Sequence, residues 1–508
     1  MPYGETTPTS PNRPTFNQNI DGILGEERWR SRTVTYSFTD NFRNDYEDEL
    51  NYQNSLAHVL SFREFSAVQK RQMRQATKQF EAVSKIKLKE LTGNQDRNAT
   101  IRIAESSHPR TAYAYTPGDF FESGDIWFNR SDFGNPVLGT YAHNTFMHEM
   151  GHSLGLEHGH EQNGVNSSAL TRDRDSSEFS IMTYRDYPNE SITNPTSNTE
   201  MGSYAQSLMM LDIAALQEMY GANYQTQSGN TTYSFSTETG EMFINGAGQG
   251  RPLRNKIYRT IWDGNGNDTY NLSNYNRSIS VNLNPGEWSN FDRLGNNQRA
   301  KLTDDNRQIF ARGHVFNALL HKGDRRSLIE NAIGGSGNDR LSGNVGDNRL
   351  VGNRGNDRLW GFRGKDRLLG NAGQDTLVGG AGNDVLLGGD HSDQLFGSDK
   401  QSRGRREIDQ LRGGKGSDIF NLGEDGTTFY RDSGANGDRS YAHVLDLDVF
   451  GGDADRINVI GAKSQYGIRA KTIDGDRGFG VYLNNGNDLL AFVEGDRLNA
   501  DRVRSRLF

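Results

Sequence analysis

His148-Glu149-Met150-Gly151-His152 sets two imidazoles four positions apart, which on a helix puts them on one face, one turn from each other. Two neutral imidazoles at that spacing can close on one ion that accepts nitrogen ligands, and zinc is the usual one. Glu149 stands beside the first of them and can reach a water in the ion's open position without being a ligand itself. Gly155 is the residue type that lets a helix stop in a left-handed conformation. The chain can then turn back and bring His158 in as a third ligand from off the helix. Three protein ligands leave the fourth position to water, the catalytic pattern rather than the structural one. H-E-x-x-H alone is equally a surface helix carrying two histidines, and the extension through Gly155 to His158 removes most of that reading. Downstream, Ser180-Ile181-Met182-Thr183-Tyr184 offers Met182 as a soft apolar floor and a tyrosine two residues on. His160 is left over as a loop residue.

A second pattern begins at Gly334 and has a period of nine, with frames starting at Gly334, Gly343, Gly352, Gly361, Gly370, Gly379 and Gly388. Each frame approximates G-G-x-G-x-D-x-U-x, the parallel β-roll repeat that binds Ca²⁺. The apolar position is Leu341, Leu350, Leu359, Leu368, Leu377, Leu386 and Leu395. A flexible Gly/Asn/Asp linker has no reason to repeat a leucine every ninth residue. Candidate calcium ligands are Gly334, Gly335, Gly337 and Asp339; Gly352, Asn353, Gly355 and Asp357; Gly361, Gly364 and Asp366; Gly370, Asn371, Gly373 and Asp375; Gly379, Gly380, Gly382 and Asp384; and Asp393. Glycines let loop carbonyls turn toward a hard cation and the Asp supplies charge. The roll is imperfect: Asn348 replaces one Asp, Asn344, Asn353, Phe362 and Asn371 replace the second glycine, and His391 replaces a later one. Arg340, Arg349, Arg358 and Arg367 at the seventh position weaken the anionic field. A partial further copy, Gly413 to Phe420, follows an insertion containing Arg403 to Arg406.

Around these two patterns, elements must exist to position them. Thr33–Phe38 alternates β-branched and aromatic residues, a strand signal. Ser66 and Gln69 form a capping box for a helix to Ser84 with an apolar stripe of Met73, Ala76, Phe80 and Val83. Strands are expected at Ile86–Leu91, Thr100–Ile103, Ala112–Tyr115 and Asp125–Phe128, then the metal helix. A second long helix carries Met209, Ile213, Leu216 and Tyr220 on one face and closes at Gly221. The fold class is therefore an α/β catalytic domain followed by an all-β parallel roll and a β-strand C-terminal region, where 453–461, 480–483 and 488–493 read as strands.

Length and composition bound the rest. A chain of 508 residues needs more than one core. The expected division is a flexible tail 1–18, a zinc domain 19–226, a β-rich connection 227–333, the roll 334–421 and a C-terminal β region 422–508. No cysteine is present, so disulfides do not hold the protein together. A net charge of −8 gives no case for nucleic acid, and no apolar run is long enough for a membrane span. The polar stretch from Met1 to Pro14 lacks the apolar core of a conventional signal peptide.

From about Ile20 onward the chain resembles the serralysin family, bacterial metzincins with an attached calcium β-roll. The residues that carry the resemblance are Thr33–Phe38, Ala112-Tyr113-Ala114-Tyr115-Thr116-Pro117-Gly118, the zinc motif, the Met-turn around Met182, Leu211 to Ala222, Ile261 to Tyr270, and Ile329 to Gly334. The resemblance implies that Tyr184 is an extra zinc ligand that swings away to hydrogen-bond the tetrahedral intermediate. It implies also that Ala112, Tyr113, Ala114 and Tyr115 form the edge strand along which a peptide lies antiparallel. Where the family usually has proline after the third histidine this chain has Gly159, which is expected to loosen the cleft floor there.

The function implied is a secreted, extracellular zinc endopeptidase, one catalytic Zn²⁺ and several structural Ca²⁺, acting on protein or peptide substrates. A monomer, a proteinaceous inhibitor and export through a type I ABC secretion channel go with the resemblance. The C-terminal Arg504-Ser505-Arg506-Leu507-Phe508 is only partly similar to the family's export signal. Two other readings are a non-catalytic calcium-dependent adhesin or matrix protein, against which Glu149 argues, and a dedicated processing protease with one partner. A repeat-bearing lipase lacks support because no G-x-S-x-G elbow follows a strand.

Overall fold

The computed structural model describes residues 7–46, 55–192, 198–292, 297–431, 439–450, 453–484, 486 and 488–508. Its first half is built on a five-stranded sheet: β1 Thr33–Phe38, β2 Lys87–Glu90, β3 Ile101–Ser106, β4 Ala112–Ala114 and β5 Ile126–Asn129, in the order β2-β1-β3-β5-β4. The first four in that order run parallel, and β4 is the antiparallel edge, with Ala112 opposite Phe128 and Ala114 opposite Ile126.

Three long helices back the sheet. Helix α1, Ala67–Val83, starts as expected: the Ser66 and Gln69 side chains each accept the other's backbone N–H. Met73, Ala76, Phe80 and Val83 are buried along it. Helix α2, Tyr141–Ser153, carries the histidine motif, and α3, Met210–Tyr220, lies beneath it. Their apolar side chains form one core with β1, β3 and β5, and Tyr258, Trp262, Leu302 and Phe316 from the 227–333 region join it. That region thus seals the back of the zinc half while leading into the roll.

The second half winds into two parallel sheets facing each other. Leu341, Leu359, Leu377, Leu395 and Phe420 stand in register on one, and Leu350, Leu368, Leu386 and Leu411 on the other. All of these side chains have no exposed surface. Burying each leucine is worth up to about 2 kcal/mol, so the ninth-residue periodicity is the roll's own hydrophobic core. The stacking continues past the repeats, upstream through Thr269–Asn271 on Asn331–Ile333 and downstream through Arg456–Asn458 on Ile419–Asn421.

Two expectations are corrected. Between the seven leucines and the expected further copy at Gly413 to Phe420 lies one more rung of the ladder. Asp384 N–H donates to Asp409 25 residues on, where Asp366 and Asp375 before it reach 18 on, and Leu411 stacks on Leu386. An eighth repeat is therefore present, its loop lengthened by the insertion. At the other end, Thr9–Pro11 is not a flexible tail but a strand paired with Glu27–Trp29, fixed by Arg28 and Asn12 side-chain hydrogen bonds. Residues 1–6 of that expected tail lie outside the described residues.

Candidate active site and cation loops

Helix α2 is held at both ends so that its histidine face is fixed. Thr140 caps the start, its hydroxyl accepting His143 N–H at 3.2 Å. At the end, Trp29 Nε1 donates to Ser153 O and Tyr220 hydroxyl to Leu154 O, both at 2.7 Å, which satisfies carbonyls that a helix end otherwise leaves open. Gly155 then turns the chain with φ of +102°, and a Cβ there would meet Glu27 O at 2.7 Å. Only glycine combines that backbone with that approach.

The turn delivers His158 opposite His148 and His152. The three Nε2 atoms lie 3.0 to 3.3 Å apart. His148 Nδ1 faces Ile181 O and His152 Nδ1 faces Leu156 O, both at 2.8 Å. A carbonyl only accepts, so each Nδ1 carries the proton and each Nε2 presents a lone pair inward. Burial pushes His148 down to about 4 and His152 to about 3, and it pushes His158 well down with help from its two neighbours. Three neutral acceptors converging on one point repel unless a cation sits between them, and an all-imidazole set suits zinc. The residues fit that ion.

Glu149 is buried beside them, and its Oε2 has no hydrogen-bond partner among the described residues. Burial pushes its carboxyl up to about 8. The Tyr184 ring lies 4.4 Å from the His158 ring and 4.8 Å from that of His160. His160 is therefore on a loop, as expected, yet packs into the site. A cleft of about 480 Å³ opens over this group, walled by Thr111, Ala112, Asn144, His148, Glu149 and Tyr184. Of the expected substrate strand, Ala112 lines the cleft. Tyr113 and Tyr115 turn to the opposite side, against Phe42, Tyr46 and Trp127, and Tyr113 hydroxyl meets His58 Nε2 at 2.7 Å.

The Met-turn is pinned by a residue that the sequence reading passed over. Asp212, fully buried at the start of α3, accepts from Ser180 Oγ, Ile181 N and Met209 N at 2.5, 2.9 and 2.8 Å. It thereby fixes the Ile181 carbonyl that orients His148. Met182 reaches α2 because position 151 is glycine: a Cβ there would come within 2.8 Å of Met182 Sδ. Gly159 does not leave the floor loose. Its carbonyl accepts Leu170 N–H at 2.8 Å, and Leu170 Cδ1 fills the space where a side chain would begin.

In the roll every sixth-position carboxylate is buried and does two things. One oxygen accepts a backbone N–H from the loop stacked on it: Asp357 Oδ1 from Asp339, Asp375 Oδ1 from Asp357, and on the other side Asp366 Oδ1 from Asn348 and Asp384 Oδ1 from Asp366, at 2.7 to 2.8 Å. The other oxygen lies over the first glycine of its own repeat, where a Cβ at Gly352 would meet Asp357 Oδ2 at 2.2 Å. For Asp357, Asp366, Asp375, Asp384, Asp393 and Asp418 this Oδ2 has no hydrogen-bond partner among the described residues. Burial, with like charge from stacked carboxylates, pushes Asp357 and Asp366 up to about 8. Rows of buried, unpartnered carboxylate oxygens suit a hard divalent cation.

Three positions depart from the row. Asp339, at its upstream end, has its Oδ2 taken by Gly335 N–H at 2.7 Å. Asn348 Nδ2 donates to Glu330 O and to Asn344 Oδ1, while Asn344 Nδ2 donates to Leu283 O and Ile329 O. There, amide N–H groups fill the role that a cation would fill elsewhere. At Asp409, Tyr430 hydroxyl donates to Oδ2 at 2.6 Å. Phe362 adopts φ of +75° with its ring half exposed, so the loop keeps its left-handed turn at a cost in strain.

Comparison with known proteins matches three stretches. Residues 16–203 match the model of metallo-peptidase family M12, residues 222–304 that of the peptidase M10 serralysin C terminal. The RTX calcium-binding nonapeptide repeat matches in four copies, at 333–368, 342–377, 369–399 and 403–428. Serralysin B of Dickeya chrysanthemi is 33% identical over 344 residues, 65% of this chain and 61% of its own length. Serralysin C of the same organism is 36% identical over 55% of this chain, and metalloprotease AprA of Pseudomonas entomophila (strain L48) 33% identical over 56%. The matched part spans 54 to 61% of these relatives' own length. The serralysin model thus matches the region that joins the metallo-peptidase match to the repeat match.

Proposed function

We propose that this chain is a secreted zinc endopeptidase whose roll is stabilised by calcium. One observation carries the reading: three inward-facing imidazole Nε2 atoms, with both helix histidines oriented by backbone carbonyls, share a cleft with a buried, unpartnered Glu149. His148, His152 and His158 would hold the zinc, with Tyr184 beside them. When bound, zinc supplies a Lewis acid that polarises a carbonyl and acidifies water.

The chain's own groups account for the remaining chemistry. The edge strand β4 offers unpaired backbone along the cleft, and an extended peptide can add to it as a further strand. Glu149 takes the proton of the attacking water and gives it to the leaving amine. Tyr184 hydroxyl donates to the oxyanion as it forms. In the roll, the loops from Gly334 to Asp393, together with Asp418, hold cations that neutralise buried carboxylates and stand in for the disulfides a cysteine-free extracellular protein lacks. The division into a zinc unit 19–226, a connecting region 227–333, a roll 334–421 and a C-terminal region 422–508 belongs to the same reading, as does export of the chain through an ABC channel. No helix among the described residues is long and apolar enough to cross a membrane.

The test is a casein zymogram of the purified chain with and without a zinc chelator. A clearing zone that disappears on chelation and returns with Zn²⁺ is expected. A zinc-loaded, folded protein that clears nothing would overturn the reading in favour of a non-catalytic adhesin.

A further inference from the structure

A second cavity of about 560 Å³ lies on another face of the zinc helix, between α1, α2 and the strands that lead into the roll. His143, which lines it, is five positions before His148 on α2, about 140° round the helix. The cavity contains a buried cation. Arg259 is only 6% exposed, its Nε has no hydrogen-bond partner among the described residues, and its Nη1 points at Met242 Sδ at 3.0 Å. Burial alone pulls its pKa down to about 10, and no carboxylate among the described residues lines the cavity.

Beside it, His143 is 2% exposed and its ring nitrogens make no hydrogen bond of good geometry among the described residues. Burial, and then Arg259, push it down to about 4, so it is neutral. Gln206, also buried, donates its Nε2 to Lys256 O at 2.7 Å, while its Oε1 is unpartnered. Val83, Ile213, Ile244 and Trp262 supply apolar wall, while Gln79, Ser207, Gln227 and Gln249 supply polar wall, with exposed Lys78 at the rim.

A guanidinium out of water without a counter-charge is costly, and a carboxylate paired to it in a bidentate fork removes most of that cost. A single buried charge beside a neutral imidazole calls for one negative charge, and the apolar side chains of Ile213, Ile244 and Trp262 suit a short hydrocarbon body. We infer that this cavity binds a small organic carboxylate, its head on Arg259 with His143 alongside and its chain against Ile244, Ile213 and Trp262. The site is separate from the cleft and does not depend on the proteolytic reading.

Calorimetric titration of the zinc- and calcium-loaded full chain with hexanoate tests this, with hexanol and sulfate as the neutral and inorganic arms. Saturable hexanoate binding is expected, at least tenfold tighter than either control. Arg259→Gln should weaken it tenfold or more. Ile244→Trp, which fills the apolar wall and leaves the charge in place, should also weaken it and serves as the reading if the arginine variant fails to fold. No saturable hexanoate heat at millimolar concentration would mean the cavity holds water only and would overturn the inference. So would hexanol binding as tightly as hexanoate, or sulfate competing equally while Ile244→Trp has no effect.

Discussion

The zinc cleft and the roll solve opposite electrostatic problems. In the cleft the protein gathers neutral donors: both helix histidines are oriented by backbone carbonyls, and the carbonyl that orients His148 belongs to a residue held by Asp212. In the roll it buries carboxylates in rows, and Asp357, Asp366, Asp375, Asp384, Asp393 and Asp418 each have one oxygen satisfied by backbone and one left over. The first arrangement can exist before its ion arrives, at modest repulsion between lone pairs. The second is electrostatically incomplete without cations, because like charges stacked in a low-dielectric interior cannot all ionise. Metal in the cleft is therefore chiefly a chemical requirement, and metal in the roll chiefly a structural one.

The largest expected effect separates the two. Glu149→Ala removes a group that touches no other described side chain by hydrogen bond, so the histidine geometry should survive. Peptide hydrolysis should fall by on the order of a thousandfold or more, with zinc content by atomic absorption and thermal stability unchanged. Loss of zinc in this variant would break the comparison, since the cleft would then need Glu149 to assemble.

Tyr184→Phe is next, with a loss of about a hundredfold in kcat and in kcat/KM together, as expected for a donor that acts on the transition state. Its ring contacts with His158 and His160 are kept by phenylalanine. An unchanged kcat would reduce Tyr184 to a packing residue.

What could be read in the sequence follows from how local each arrangement is. His148, His152 and His158 are close in the chain, so spacing alone exposed the triad; the roll's core was legible because its period is carried by every leucine. Asp212 was not, because its role depends on α3 lying under the Met-turn, a tertiary fact with no spacing signature. The eighth repeat was hidden by the insertion that shifts its register, although Asp409-Gln410-Leu411 just before Gly413 preserves the D-x-U pattern that identifies it. Pairing of Thr9–Pro11 with Glu27–Trp29 was invisible because composition says nothing about which edge a polar segment finds.

Within the roll, the comparison repeats on a smaller scale. Asp357→Ala takes an unpartnered oxygen from the middle of one row, while Asn348→Ala takes an amide that is already satisfied. In calcium, Asp357→Ala should lower stability by on the order of 3 kcal/mol, the stabilisation lost with a ligand held well above its Kd, and Asn348→Ala by about 1 kcal/mol for its hydrogen bonds. In a calcium chelator the order should contract or reverse, since removing one buried carboxylate relieves its neighbours. Equal losses for both variants with and without calcium, followed by thermal denaturation, would sink the assignment of the Asp357 loops as cation sites.

The smallest effect is at Tyr430. Its hydroxyl sits over Gly397, where a Cβ would meet it at 2.1 Å, and donates to Asp409 Oδ2 at 2.6 Å. That is the oxygen left open in Asp366 and Asp384 on the same side. Together with the Asn348 amide at the other end, the phenol closes this row with neutral donors, while the opposite row runs open through Asp357, Asp375, Asp393 and Asp418. Tyr430→Phe makes Asp409 like its neighbours. Without calcium it should cost about 1 kcal/mol for a lost buried hydrogen bond. With calcium much of that should be recovered, and calcium binding per chain should rise by up to one ion, held between the Asp384 and Asp409 loops. Isothermal titration and thermal denaturation in both conditions decide it. A stability loss that calcium does not reduce, with no added calcium bound, would mean that the long loop between Gly397 and Asp409 prevents a cation site there, whatever caps the carboxylate.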